Sequence, residues 1–289
     1  MRDVAAEAAS QVPGVAWPVV GALPPGARVY AKFTIRSFQK QLAYKFEYFV
    51  GVFNGLLFIF IFTSLWRAIY ANLEAPPAAF DLEGITAFAV FAMIVRISMT
   101  QDDMSTVGKI RSGAIALDMV KPMSYFGMML AECAGQTLFH WFTRVIPVLI
   151  FSLLAFDAAL PRAWENWALL AIAWPLGYLI MFMVNYLFAL LAFWFIETFS
   201  FHLMKYGLFT IFSGGIVPVD FFPEWLKPLI ESLPFMYILY TPTALFTGHI
   251  AGAEALRLIL LQGAWAVALG MACTVMWRAA QRKLVVQGG

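Results

Sequence analysis

Four polar side chains recur at a spacing of four in one apolar segment of this chain: Glu132, Gln136, His140 and Arg144. In a helix, that spacing lays them along one slowly rotating face. An acid, an amide, an imidazole and a guanidinium in a row can hydrogen-bond neighbouring helices or line a path for a charged solute. Glu132 and Arg144 are twelve residues apart, roughly 18 Å along a straight helix, so they cannot pair with each other. Each needs a partner elsewhere, or neutralisation in the case of Glu132, because a charge at mid-span costs upward of about 2.5 kcal/mol. Arg144 can also snorkel outward. Pro147, close behind, removes the bond to the Thr143 carbonyl and predicts a kink.

The chain carries no HExxH, no GxSxG and no Cys-His pairing with local support, so no catalytic residues are assigned. An integral enzyme acting on lipid would have to use a set scattered in sequence, such as Glu132 with His140. Cys133 and Cys273 fall inside apolar segments as buried thiols, and His140, His202 and His249 are too dispersed for a metal site, so none is expected. The phosphate-binding pattern GxxxxGK[ST] is also missing, so ATP cannot bind through that motif.

The elements that must hold the polar row are membrane helices. Of 289 residues, 62% are hydrophobic and 12% charged, far more apolar than a soluble domain, and a net charge of +2 gives no reason to expect a nucleic-acid partner. The expected fold is an all-α membrane protein with six spans near 46–70, 84–101, 124–156, 167–196, 199–217 and 255–277. Before them, residues 1–27 read as a flexible cytoplasmic tail. Residues 28–45 read as an amphipathic helix on the anionic inner leaflet, its Arg28, Lys32, Arg36 and Lys40 recurring every fourth position. Basic residues gather in the first flank, the second loop and the C-terminal flank, while Glu74, Asp81 and Glu83 mark the first loop. That asymmetry puts both termini in the cytoplasm. Gly51 and Gly55 form a GxxxG pair suited to close helix contact within or between subunits, and Asn185 is placed to hydrogen-bond a neighbouring helix.

Two stretches interrupt the helical pattern. From Asp102 to Pro122, Met104, Val107 and Ile110 stand at helical spacing and lead through Gly113 to Ile115, Leu117 and Met119. This predicts a short amphipathic helix whose apolar face either meets the membrane surface or fits a partner's groove. From Ser213 to Gly248, prolines at 218, 223, 228, 234 and 242 forbid one continuous helix in a segment otherwise apolar enough for the bilayer. Irregular backbone at that depth must be covered by protein or a water-filled cavity, so broken re-entrant segments on the outer face are expected between spans five and six.

The order Gly-Gly, Pro218, Phe221-Phe222-Pro223, Trp225, Leu233-Pro234-Phe235, Tyr240, Pro242 resembles the ABC-2 type permeases, with a weaker likeness at Ile110 to Pro122. The group most resembled is encoded as two permeases beside a separate ATPase. The resemblance implies a 46–289 transmembrane domain in the cell inner membrane, with an ABC ATPase subunit and a second permease, a copy or a paralogue, as partners. ATP and Mg would sit on the ATPase, and this chain would hold no cofactor. It assigns ATPase coupling to Met104, Val107, Lys109, Ile110, Gly113, Leu117, Lys121 and Pro122. The outer gate would comprise Pro218, Phe222, Pro223, Trp225, Pro234, Tyr240 and Pro242. The function it implies is efflux of an amphipathic or otherwise unidentified substrate. An ion-coupled carrier or channel built on the polar row is the competing reading.

Overall fold

The computed structural model describes residues 24–42, 45–73, 79–102, 104–121, 123–155, 160–161, 163–195 and 197–283. The expected tail falls almost wholly outside them. Among the described residues the chain is helical, without strands. Its helices are α1 (Pro25–Gln41), α2 (Lys45–Ala71), α3 (Leu82–Ser98), α4 (Ser105–Arg111), α5 (Ile115–Met119) and α6 (Tyr125–His140). A π turn, Trp141–Val145, joins α6 to α7 (Ile146–Ala155), followed by α8 (Trp164–Leu190), α9 (Phe199–Phe212), α10 (Lys227–Glu231), α11 (Tyr240–Phe246) and α12 (Gly252–Gln281).

Four helices are long and apolar enough to cross a membrane: Tyr48–Ala71, Tyr125–Ala155, Trp164–Phe193 and Gly252–Gln281. The expected second and fifth spans form helices where predicted, but α3 has 17 residues and α9 only 14. At about 1.5 Å per residue both fall short of a hydrocarbon layer of about 30 Å. The first is capped at Asp81, which accepts from the Gly84 amide at 2.8 Å, and ends at Ser98, three residues before the expected bound. The second stops where Gly214 takes φ +69°. Together α3 and α8 form the core: α3 buries Phe88, Ala92 and Val95, and α8 buries Ile180, Met183 and Leu190.

The basic helix α1 starts at Pro25, a favourable first-turn proline, and ends at Gln41, whose carbonyl accepts from Tyr48 Oη at 3.1 Å. Its Arg28, Lys32, Arg36 and Lys40 are all exposed on one side. The other side runs parallel to α6: Tyr30 covers Gly127, Thr34 and Ser37 crowd Gly135, and Phe38 meets Phe139 edge-on at 5.5 Å. Ser37 Oγ donates to the Glu132 carbonyl at 2.6 Å. The helix is therefore docked lengthwise on α6, a contact its own periodicity did not foretell.

The broken stretch packs at the end of the bundle opposite the described chain ends, since α2, α3 and α12 each run from one end to the other. It contains a 3-10 turn at Val219–Phe221 and two short helices, α10 and α11, the latter entirely buried against α3 and α8. Its backbone is covered in detail. Tyr240 N donates to the Ser213 carbonyl at 3.0 Å, folding the stretch back on itself. Gln262 of α12, fully buried, donates to the carbonyls of Tyr237 and Ala173 at 2.8 and 2.7 Å. Such an amide does in protein what water would do outside the bilayer. Gln262→Leu removes both donors at nearly constant volume and should destabilise the fold by about 1–3 kcal/mol. A lower thermal midpoint in detergent would report this; an unchanged midpoint would count against it.

Candidate functional site

The loop between α3 and α6 is two helices, not one, because Gly113 at φ +73° ends α4 and turns the chain into α5. A side chain bearing a Cβ is strained at that angle, so a continuous helix cannot pass. Val107 is buried and Ile110 half-buried, whereas Met104, Leu117 and Val120 are 40%, 74% and 84% exposed. Pro122 lies outside the described residues.

Behind this exposed face lies an ion cluster. Lys109 Nζ is 3.1 Å from Asp118 Oδ2 and 3.2 Å from Glu132 Oε2, while Lys121 Nζ is 2.6 Å from Asp118 Oδ1. Glu132 thereby finds the partner its isolation in the sequence demanded. Burial opposes the charged form of Lys109, yet the Glu132 and Asp118 carboxylates outweigh it and raise its pKa. Burial likewise opposes the Asp118 carboxylate, but its bonds to Lys121 and Lys109 hold it below the usual range. On the other side, Arg111 Nη2 donates to Thr198 Oγ1 at 2.9 Å and lies 3.9 Å from Glu197, immediately before α9. One short loop is thus tied to α6 and to the start of α9.

The polar row does not form one face in space. Glu132 turns to the loop, and Gln136 Oε1 accepts from the Asp102 amide at 3.3 Å. His140 is buried, and the π turn that follows swings Arg144 across Gly51 of α2. The π turn stands just before Pro147, where the missing N–H leaves the regular ladder incomplete. The GxxxG pair is spent within the subunit: Gly51 meets Arg144, and Gly55 meets Ile97 and Val148.

A second polar assembly escaped sequence reading. Lys205 of α9, only 4% exposed, donates to Asn185 Oδ1 at 2.8 Å. Asn185 donates to Gln101 Oε1 at 3.2 Å, Gln101 donates to the Tyr178 carbonyl at 3.2 Å, and Tyr178 Oη lies 2.9 Å from Thr137 Oγ1. Asn185 does bond a neighbouring element as expected. Beside this chain, two cavities of about 290 Å³ each open between α3 and α9 and share Arg96, Thr100 and Tyr206. Lys205 lies within the expected fifth span, and its burial depends on which way that helix faces.

At the opposite end, Asp220 accepts from Tyr240 Oη at 2.8 Å and lies 3.2 Å from His249 Nε2. His249 stacks on Phe80 with ring centroids 3.9 Å apart, and Phe80 stacks on Phe221 at 6.0 Å. This clasp fastens the broken stretch to the turn before α3. Of the expected gate residues, Pro218, Tyr240 and Pro242 are buried, Phe222 and Pro234 half-buried, Pro223 exposed and Trp225 77% exposed. The seven therefore divide between an interior plug and a surface lip.

The helical bundle thus carries an anchored loop at one end, a clasped broken stretch at the other and a cleft between α3 and α9. The family model described as ABC-2 family transporter protein matches residues 79–288. The chain belongs to that family. No curated protein and no solved structure matches it. The matched region of this ABC-2 transporter begins just before α3 and takes in the ion cluster, the cleft-forming helices α3 and α9 and the broken stretch. It is a multi-pass membrane permease.

The ion cluster has a checkable consequence in this permease. Lys109→Met leaves Asp118 and Glu132 without their shared cation and should speed hydrogen exchange across residues 105–121 by about tenfold, Lys121→Met by less. Because the Asp118 pKa is lowered and the Lys109 pKa raised, the wild-type protection is complete at neutral pH. It should fade only below about pH 4, as Asp118 protonates, or above about pH 10.5, as Lys109 loses its proton. Equal exchange in the wild type and Lys109→Met would remove the cluster's anchoring role.

Proposed function

We propose that this chain is the membrane permease of an ATP-driven exporter in the cell inner membrane, with six spans, cytoplasmic termini and the broken stretch on the outer face. The observation that carries this reading is the loop of α4 and α5 in an ABC-2 transporter: apolar on its free side and ion-paired to the bundle on the other. A soluble ATPase that buries Met104, Leu117 and Val120 gains apolar area, while Lys109 and Arg111 pass its displacement to α6 and α9.

Two permeases, identical or paralogous, stand with two ATPase subunits, which hold ATP and Mg. ATP binding draws the ATPases together, and the loops convey that approach as a rigid-body shift of the helices. Movement of α9 alters the cleft beside α3, and the opposite-end clasp governs exit. Export rather than import is the direction implied by likeness to the family.

Ile110 packs inward, so replacing it would disturb the fold; Leu117 offers the cleaner test. Leu117→Asp should reduce permease-stimulated ATP hydrolysis and copurification of the ATPase about tenfold while leaving membrane insertion intact. Full coupling in that variant, or transport by the chain in proteoliposomes without an ATPase, would overturn the reading.

A further inference from the structure

We propose that the cleft between α3 and α9 loads a cargo through an anionic phosphate or carboxylate group; this rests on the permease reading above and names its substrate class. Two adjoining cavities of about 290 Å³ each, on either side of the Arg96–Tyr206 contact, together fall in the range of small-molecule sites. Arg96 lines both, Arg144 lines one, and His202 and Lys205 line the other. Among the described residues lining either cavity there is no Asp or Glu. Arg96, Arg144 and Lys205, converging from three separate elements on one cleft, concentrate an attractive field for anions.

The groups are also positioned to use that field. Arg96 hydrogen-bonds the Tyr206 hydroxyl at 3.2 Å and lies 5.8 Å from the centre of the Phe209 ring, which fixes its orientation. A guanidinium has five donors in a fork that matches carboxylate and phosphate oxygens, and the Tyr206 contact uses few of them. Lys205 is held by the Asn185–Gln101 chain at the cavity wall. The C-terminal turn of α3 favours a cation at Arg96 by itself, but that helix-end effect does not account for His202 and Lys205 arriving from α9 at the same space.

The cleft's remaining wall is mixed, with Asn54, Thr100, Gln101 and Thr210 set among apolar side chains. Phe58 and Phe62 of α2 border the Arg96 cavity, and the same helix leaves Phe53, Phe58 and Phe60 exposed. An amphiphile can therefore lay its tail along α2 with its head at Arg96. A free organic anion shares the headgroup chemistry without the tail.

The test is titration of the full chain in nanodiscs of uncharged phosphatidylcholine with dodecyl phosphate, dodecyltrimethylammonium, dodecyl maltoside and inorganic phosphate. Dodecyl phosphate should bind at least tenfold more tightly than the cationic and neutral amphiphiles. Arg96→Gln should weaken it at least tenfold and Arg96→Lys, which keeps the charge and controls for folding, by less. Inorganic phosphate competing as well as dodecyl phosphate would support a soluble anion as cargo; weak competition would support a lipid-like one. Equal binding of the cationic amphiphile, or undiminished dodecyl phosphate binding in Arg96→Gln, would overturn the proposal. Leu117→Asp should bind dodecyl phosphate like the wild type, so a failure of ATPase coupling and a failure of the anion site give different results.

Discussion

Hydrocarbon offers no hydrogen bonds, and that single fact governs how this chain is built. Helices meet it along most of the length by pairing their own amides. Where five prolines forbid a helix, other parts of the protein must supply the partners, and they do. Gln262 reaches from α12 to two carbonyls, Ser213 accepts from the Tyr240 amide, and Gly177 lets the carbonyls of Tyr237 and Ile238 press against α8. Gly214 and Gly215 sit so close to Tyr240 and Leu239 that a Cβ there would collide. The broken stretch is thus a plug seated in the bundle, and α3, buried from Phe88 to Val95, lies between that plug, α2 and the π turn.

The same economy ties separate helices of the permease to one another. The ion cluster ties α5 and α4 to α6, and Arg111 ties α4 to the residues before α9. Packed helices transmit displacement because interiors are nearly incompressible. Among the larger helices α9 leans only lightly on its neighbours, chiefly α8, so it is the element that can move with least loss of packing. Its Leu203, Met204 and Ile211 are exposed.

Several features were legible before any coordinates. Helices occur where hydropathy placed them, Pro147 is attended by a π turn, and the basic row of α1 is exposed as its period of four required. Others were not. The loop from Asp102 to Pro122 reads as one amphipathic helix because its apolar spacing continues through Gly113, whereas a positive φ there divides it. The row from Glu132 to Arg144 reads as one face because a regular helix was assumed; the π turn and the separate partners of Glu132 and Gln136 disperse it. Arg96 and Gln101 carried no signal, since one polar residue near a helix end is ordinary.

By its composition, proline spacing and apolar periodicity, the sequence alone determined that this protein is a helical membrane protein with a broken segment before its last long helix. These are local properties, set by the free energy of moving each residue into hydrocarbon and by backbone sterics. Tertiary structure alone decided which charges meet: Lys109 with both Asp118 and Glu132, Asp220 with His249, and Arg96 beside the cavity that Lys205 lines. Those pairings depend on helix rotation and depth, which many weak packing contacts set jointly, so no short stretch of residues encodes them.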